Sequence, residues 1–295
     1  MKTTILAINE RKSVIDDVLE ELEKNDVEVL NKNLEFSLSK IKDSDFVLVR
    51  RDQRTPEIWT GVGYALGLNL PIIAFWNLKK EAPSYGFYGV LPITITETSQ
   101  ISDTLQKIEN FRGKKNFRNF QGFQSPPTFY IAGDVRFADK TGYFVWMEEF
   151  LKRYAFNAIN PQKLVDNYNP YENYCNDLSA LPEENFKKVQ PGKKGARYCL
   201  DLIDMSDGII TRVDDENNIG PWIETGYTIA SSKPVIGIHK YIWPKAGKYE
   251  VVPDHAVDWE VIPEISNHNK QFGLNKWVAE TQKDLIEILS ELVSP

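Results

Sequence analysis

Glu224 is the residue of this chain best placed to do chemistry. It follows Gly220-Pro221, and proline is favoured at the first position of a helix, so a helix beginning there carries Glu224 in its first turns. The preceding loop, Asp214 to Gly220, can approach a ligand closely. A carboxylate so placed can attack an electrophilic sugar carbon and form a covalent glycosyl-enzyme. The same glutamate also has a structural use, since an acidic side chain at a helix start complements the macrodipole. Tyr130 is the second candidate. It ends a strand beside Ala132-Gly133, where its hydroxyl can reach the carboxylate; the structural alternative is packing in the core.

The chain reads twice, and the repeat weighs these candidates. Trp59, Gly63, Tyr64 and Pro71 recur as Trp222, Gly226, Tyr227 and Pro234 at one offset of 163 residues. Ser44-Asp45 recurs as Ser206-Asp207, one residue out of step. Ile5-Leu6-Ala7-Ile8 parallels Tyr130-Ile131-Ala132-Gly133, and Val29-Leu30-Asn31 parallels Ala158-Ile159-Asn160. A diverged tandem duplication accounts for all of these. On this alignment Gly61 stands where the other half has Glu224, and Ile5 where it has Tyr130. A structural role would apply in both halves, whereas only one half needs to be catalytic.

Each half must position its residues on alternating short β-branched runs and amphipathic helices, four strands to a half. That pattern specifies an α/β fold of two tandem Rossmann- or flavodoxin-like lobes, each a parallel sheet flanked by helices. Ligands of such sheets bind at the carboxyl ends of the strands. Asn110 to Pro127 has linker chemistry, which divides the chain into lobes 1–124 and 125–295. Leu164 to Gly195 is long and irregular, a lid over the second lobe's site or a plain surface excursion.

Tyr130-Ile131-Ala132-Gly133, Asn160-Pro161, Asn218-x-Gly220-x-x-x-Glu224-x-Gly226-Tyr227 and Lys233-Pro234-Val235-Ile236 together resemble the nucleoside 2-deoxyribosyltransferase family. The resemblance covers roughly residues 127–240, and the first half more faintly. It implies that Glu224 is the nucleophile, that Tyr130 orients it, and that the sugar passes from one base to another. Gly133, Asn218, Gly220, Trp222 and Asp201 are the substrate-binding residues it suggests. The family's acid six residues before the nucleophile is Asn218 here, and a second base-binding acid falls at Cys199, with Asp201 nearby. Hydrolysis of a nucleoside or nucleotide, with water as acceptor, uses the same chemistry. A nucleotide-sensing module without catalysis is the reading of another class. The family's sites are commonly completed by a neighbouring subunit, so residues 1–124 are expected to buttress the second lobe in cis.

Bulk properties narrow the partners. The 295 residues carry a net charge of −7, which argues against a polynucleotide groove and favours a small neutral or zwitterionic ligand; the resemblance implies a nucleoside or nucleotide and a free nucleobase. Cys175 and Cys199 form no C-x-x-C pair, which fits reduced thiols and a cytoplasmic setting. No apolar run approaches a membrane span, and no cofactor or metal pattern appears, since His239, His255 and His268 lack ligand spacing. Gly61-Val62-Gly63 with Gly67 suggests a dinucleotide fingerprint but lies within a helix pattern. Lys193 to Arg197 opens a helix and could meet a phosphate or only solvent. The apolar faces can also support a homodimer.

Overall fold

Short β-branched runs in each half pair side by side, always in parallel. In the computed structural model, residues 1–7, 12–50, 55–75, 93–95, 97–109, 115–133, 142–161, 197–213, 219–239, 242 and 259–294 are described. The first lobe holds strands β1 (Lys2–Leu6), β2 (Glu28–Val29), β3 (Phe46–Arg50), β4 (Ile72–Phe75) and β5 (Ile93–Ile95) in the order β2-β1-β3-β4-β5. The second holds β6 (Thr128–Ile131), β7 (Asn157–Ile159), β8 (Gly208–Arg212), β9 (Val235–Ile238) and β10 (Val278–Ala279) in the order β10-β9-β8-β6-β7. Read from matching ends, the two orders are the same, the flavodoxin-like arrangement of a doubly wound sheet. Each half has one strand more than the sequence pattern predicts. The extra strands, β5 and β10, have three and two residues, too few to show a periodicity.

The helices of the first lobe are α1 (Lys12–Lys24), α2 (Leu38–Asp43), α3 (Pro56–Gly67) and α4 (Ile101–Ile108). Those of the second are α5 (Tyr143–Arg153), α6 (197–205), α7 (Ile219–Ala230), α8 (Val261–Asn269) and α9 (Gln282–Val293). Helix α7 starts at Ile219, before Gly220-Pro221 rather than after it. Pro221 fits there because the first backbone N–H groups of a helix have no partner within it.

The repeated Ser-Asp step has the same structural job twice. Asp45 accepts the Lys2 N–H through Oδ2 at 2.8 Å and returns its own N–H to the Lys2 carbonyl. Asp207 does the same with Thr128, at 2.7 Å through Oδ2. Strand pairing then fixes the correspondence of the lobes. Phe46 pairs with Thr3 and Gly208 with Phe129, so Tyr130 corresponds to Thr4, and Ala132 to Leu6. This corrects the sequence alignment, which set Tyr130 against Ile5. A slip of one residue moves a side chain to the other face of the sheet. Ile5 indeed packs on the first lobe's outer face, away from the second lobe.

The inner faces of both sheets and the helices between them form a single buried cluster. At its centre α3 packs on α7, the broadest contact between any two elements of the described chain. The contact is isologous in the manner of a twofold dimer. The Gly63 Cα lies where any Cβ would meet the Ile223 carbonyl oxygen at 1.9 Å, and a Cβ on Gly226 would meet the Thr60 carbonyl at 1.9 Å. Thr60 and Ile223 are themselves related by the same 163-residue offset as Gly63 and Gly226. Two copies fused in one chain therefore associate as a symmetric pair. The Gly61-Val62-Gly63 run is helical, as its pattern predicts, and its Gly63 packs on the other lobe.

The segment 115–127 is laid against the second lobe. Arg118 forms an ion pair with Asp204 and donates to the Tyr227 hydroxyl at 3.2 Å, and Ser232 donates to the Arg118 carbonyl at 2.7 Å. Lys233 donates to the carbonyls of Ile203, Asp204 and Ser206, capping the end of α6.

Candidate active site

β6 and β8 are neighbours in the sheet although their helices leave on different faces, and ligands of this fold bind beside that switch point. Tyr130 lies on β6 and Glu224 on α7, which packs over the inner face of the same sheet. The Tyr130 hydroxyl donates to Glu224 Oε1 at 2.8 Å. Both side chains are buried, with exposures of 1% and 4%. Glu224 Oε2 is shielded from solvent and has no hydrogen-bond partner among the described residues. One carboxylate oxygen is anchored and the other is uncommitted, the arrangement a positioned nucleophile needs.

Burial pushes the Glu224 carboxyl up to about 7, against the lowering effect of hydrogen bonds from Tyr130 and Cys199. Burial also holds the Tyr130 hydroxyl well above its ordinary value, so it stays a donor. The Cys199 thiol, pushed up to about 12 by burial and then by the Glu224 charge, likewise remains protonated. Cys199 is therefore a neutral companion of the carboxylate and no thiolate nucleophile. Where the family resemblance places a base-binding acid, the structure has a thiol turned to Glu224.

The corresponding place in the first lobe is filled. Gly61 occupies the Glu224 position, and a Cβ there would meet the Leu6 methyls at 2.7 and 2.9 Å and Ile41 at 3.2 Å. Leu6 in turn corresponds to the small Ala132, and the Thr4 hydroxyl is bonded to Ser44 Oγ at 2.8 Å. Glutamate with alanine in one lobe is matched by glycine with leucine in the other. The volume is conserved while the chemistry differs.

The other predicted residues distribute differently. Gly133 follows the end of β6 with Tyr143 and Phe144 packed against it, and Gly220 lies in the first turn of α7. Trp222 is fully buried between the lobes, edge-on to Trp259 at 5.1 Å, and its counterpart Trp59 is equally buried. Asp201 is not brought to the pair. It lies on the exposed side of α6 and forms an ion pair with Arg197 at 3.0 Å. Asn218 and the Leu164–Gly195 stretch lie outside the described residues. Sequence reasoning gave Cys199 no role beside Glu224; its helical spacing from Leu202 and Ile203, all buried, is the signal that turns it inward.

Among the described residues no cluster of His, Cys, Asp or Glu could hold a metal ion, and no helix is long and apolar enough to cross a membrane. The chain matches no protein-family model and no curated sequence.

Proposed function

We infer that the second lobe breaks the N-glycosidic bond of a (2-deoxy)nucleoside and transfers the sugar to another base. The observation that carries this reading is the Tyr130–Glu224 pair, with Oε1 held at 2.8 Å and Oε2 uncommitted. Glu224 Oε2 forms a bond to C1′ as the C1′–N bond breaks, and the departing base takes the electron pair and a proton from solvent water. In the second step a ring nitrogen of the incoming base attacks C1′, the bond to Glu224 breaks, and that nitrogen loses its proton. The two displacements return the original configuration at C1′. Tyr130 holds the carboxylate and, with the neighbouring Cys199 thiol, offsets part of the cost of its charge in a buried setting.

The test is a panel of deoxynucleosides and nucleoside 5′-monophosphates, each incubated with and without a free acceptor base and followed by chromatography. A new nucleoside is the expected product. Free base alone identifies a hydrolase with water as acceptor, and no turnover of any substrate leaves the sensing role and overturns the enzymatic one. With an active substrate, Tyr130→Phe is expected to lower kcat/KM by about 10- to 100-fold, the weight of one charge-assisted hydrogen bond. Its acid limb should move above the wild-type value near 7, because the lost hydrogen bond is one that lowers the Glu224 pKa.

A further inference from the structure

The first lobe has a cavity on the side that faces the second. It has a volume of about 390 Å³ and opens at the carboxyl ends of the strands. Its walls are the end of β1 at Leu6, the turn after β2 at Glu35 and Phe36, and the first turn of α3 at Glu57. Trp259 and Glu260 close it from the second lobe, with Glu260 accepting the Phe36 N–H at 3.2 Å. A space of this size lies in the range of roughly 300–1,000 Å³ that small ligands occupy, and its place is the first lobe's own switch point.

The lining sets the chemistry of an occupant. Leu6 and Ile58 are apolar, and Phe36 and Trp259 present aromatic rings. The charged groups of the wall are the carboxylates of Glu35, Glu57 and Glu260, and none of the described lining residues is a cation. Glu35 is bonded to Lys40 through Oε1, and its carboxyl is held below the usual range chiefly by that hydrogen bond. Glu35 Oε2 is shielded from solvent and has no hydrogen-bond partner among the described residues. Carboxylates accept hydrogen bonds and cannot donate them, so the cavity suits N–H donors and repels anions. The groups that would react are missing, since Gly61 and Thr4 stand at the places of Glu224 and Tyr130.

We propose that this cavity is a second, non-catalytic site that binds an uncharged or cationic nitrogen heterocycle bearing an exocyclic amino group, and excludes its phosphorylated forms. The ring stacks or edges against Trp259 and Phe36, and the amino group donates to the carboxylates. The proposal does not depend on Glu224 being catalytic.

The test titrates the full chain with adenine, adenosine, unsubstituted purine and adenosine 5′-monophosphate by calorimetry. Glu224→Gln, Glu57→Gln and Glu260→Gln variants are titrated alongside. Adenine and adenosine are expected to bind at this site in wild type and in Glu224→Gln alike. Glu57→Gln and Glu260→Gln should each weaken that binding about tenfold, with melting temperature confirming that the variants are folded. Purine, without the amino group, should bind more weakly by a similar factor, and the monophosphate weakest. No binding of any probe up to about 5 mM overturns the proposal. So does binding lost only in Glu224→Gln, which places the ligand in the second lobe, or a monophosphate that binds as tightly as adenosine. If Glu57→Gln is unfolded, the Glu260→Gln result decides.

Discussion

Glu224→Gln is expected to abolish turnover while making the protein more stable at alkaline pH. The loss of activity should reach at least about 10³-fold, because an amide cannot form the covalent intermediate that a carboxylate can. The gain in stability follows from burial. The folded carboxyl is pushed up to about 7 from an ordinary 4.5, so ionisation is costlier in the native state than in the unfolded chain. The native state is thus the better proton binder. The contribution of this group is fully present below about 4.5 and is lost as pH rises through about 7. At pH 8.5 the cost approaches about 3 kcal/mol, and glutamine removes it. Melting curves of wild type and variant should therefore separate at pH 8.5 and converge near pH 5. The pH profile of kcat/KM should show the complementary limb, activity rising with pH through about 7 as the nucleophile ionises. Equal stability of the two proteins at pH 8.5, or a variant with wild-type rates, overturns the role assigned to Glu224.

Much of this was legible in the sequence, for reasons that also explain what was not. The alternation of β-branched runs with helices reports the parallel sheets directly, because a strand buried on both faces must be apolar throughout. Glu224 stood out by comparison with Gly61, a contrast that needs no coordinates. The counterpart of Tyr130 did not, since Ile5 and Thr4 both fit a buried strand and only the pairing of Thr3 with Phe46 separates them. Leu6 and Ala132 look like a neutral exchange of apolar residues until Gly61 is seen to need that leucine. Cys199 is remote from Glu224 along the chain, and proximity of that kind is set by the α6–α7 packing rather than by any local pattern. Trp222, expected to touch substrate, belongs to the interlobe core, as its counterpart Trp59 does. A residue retained in both lobes reads better as packing than as chemistry.

The glycines shared by the halves carry the other large expected effect, and their symmetry makes it a sharp one. Gly63→Ala and Gly226→Ala should each cost about 3 kcal/mol or more, and by similar amounts, since the Cβ of each meets a backbone carbonyl of the opposite helix at 1.9 Å. Neither carbonyl can swing aside as a side chain end can, so α3 and α7 must separate. Close to the same axis, a Cβ on Gly67 would meet the Ala230 Cβ at 2.4 Å, leaving room for one methyl but not two. Gly61→Ala is the internal control. It lies on the same helix, but its Cβ would meet the movable methyls of Leu6 and Ile41, and alanine favours the helix by about 0.5–1 kcal/mol over glycine. That variant should stay within about 1 kcal/mol of wild type. Thermal and denaturant unfolding of the three variants measures this, and equal losses in all three would show that helix composition, not interlobe contact, governs these positions. Turnover offers the second readout. The carbonyl that Gly63 approaches belongs to Ile223, the residue next to Glu224, so separating the helices moves the segment that holds Glu224 against Tyr130. Gly63→Ala should lower kcat although the residue lies in the lobe that has no counterpart of Glu224. A Gly63→Ala protein that unfolds earlier but keeps its full kcat while folded would mean that the first lobe stabilises the second without positioning its site.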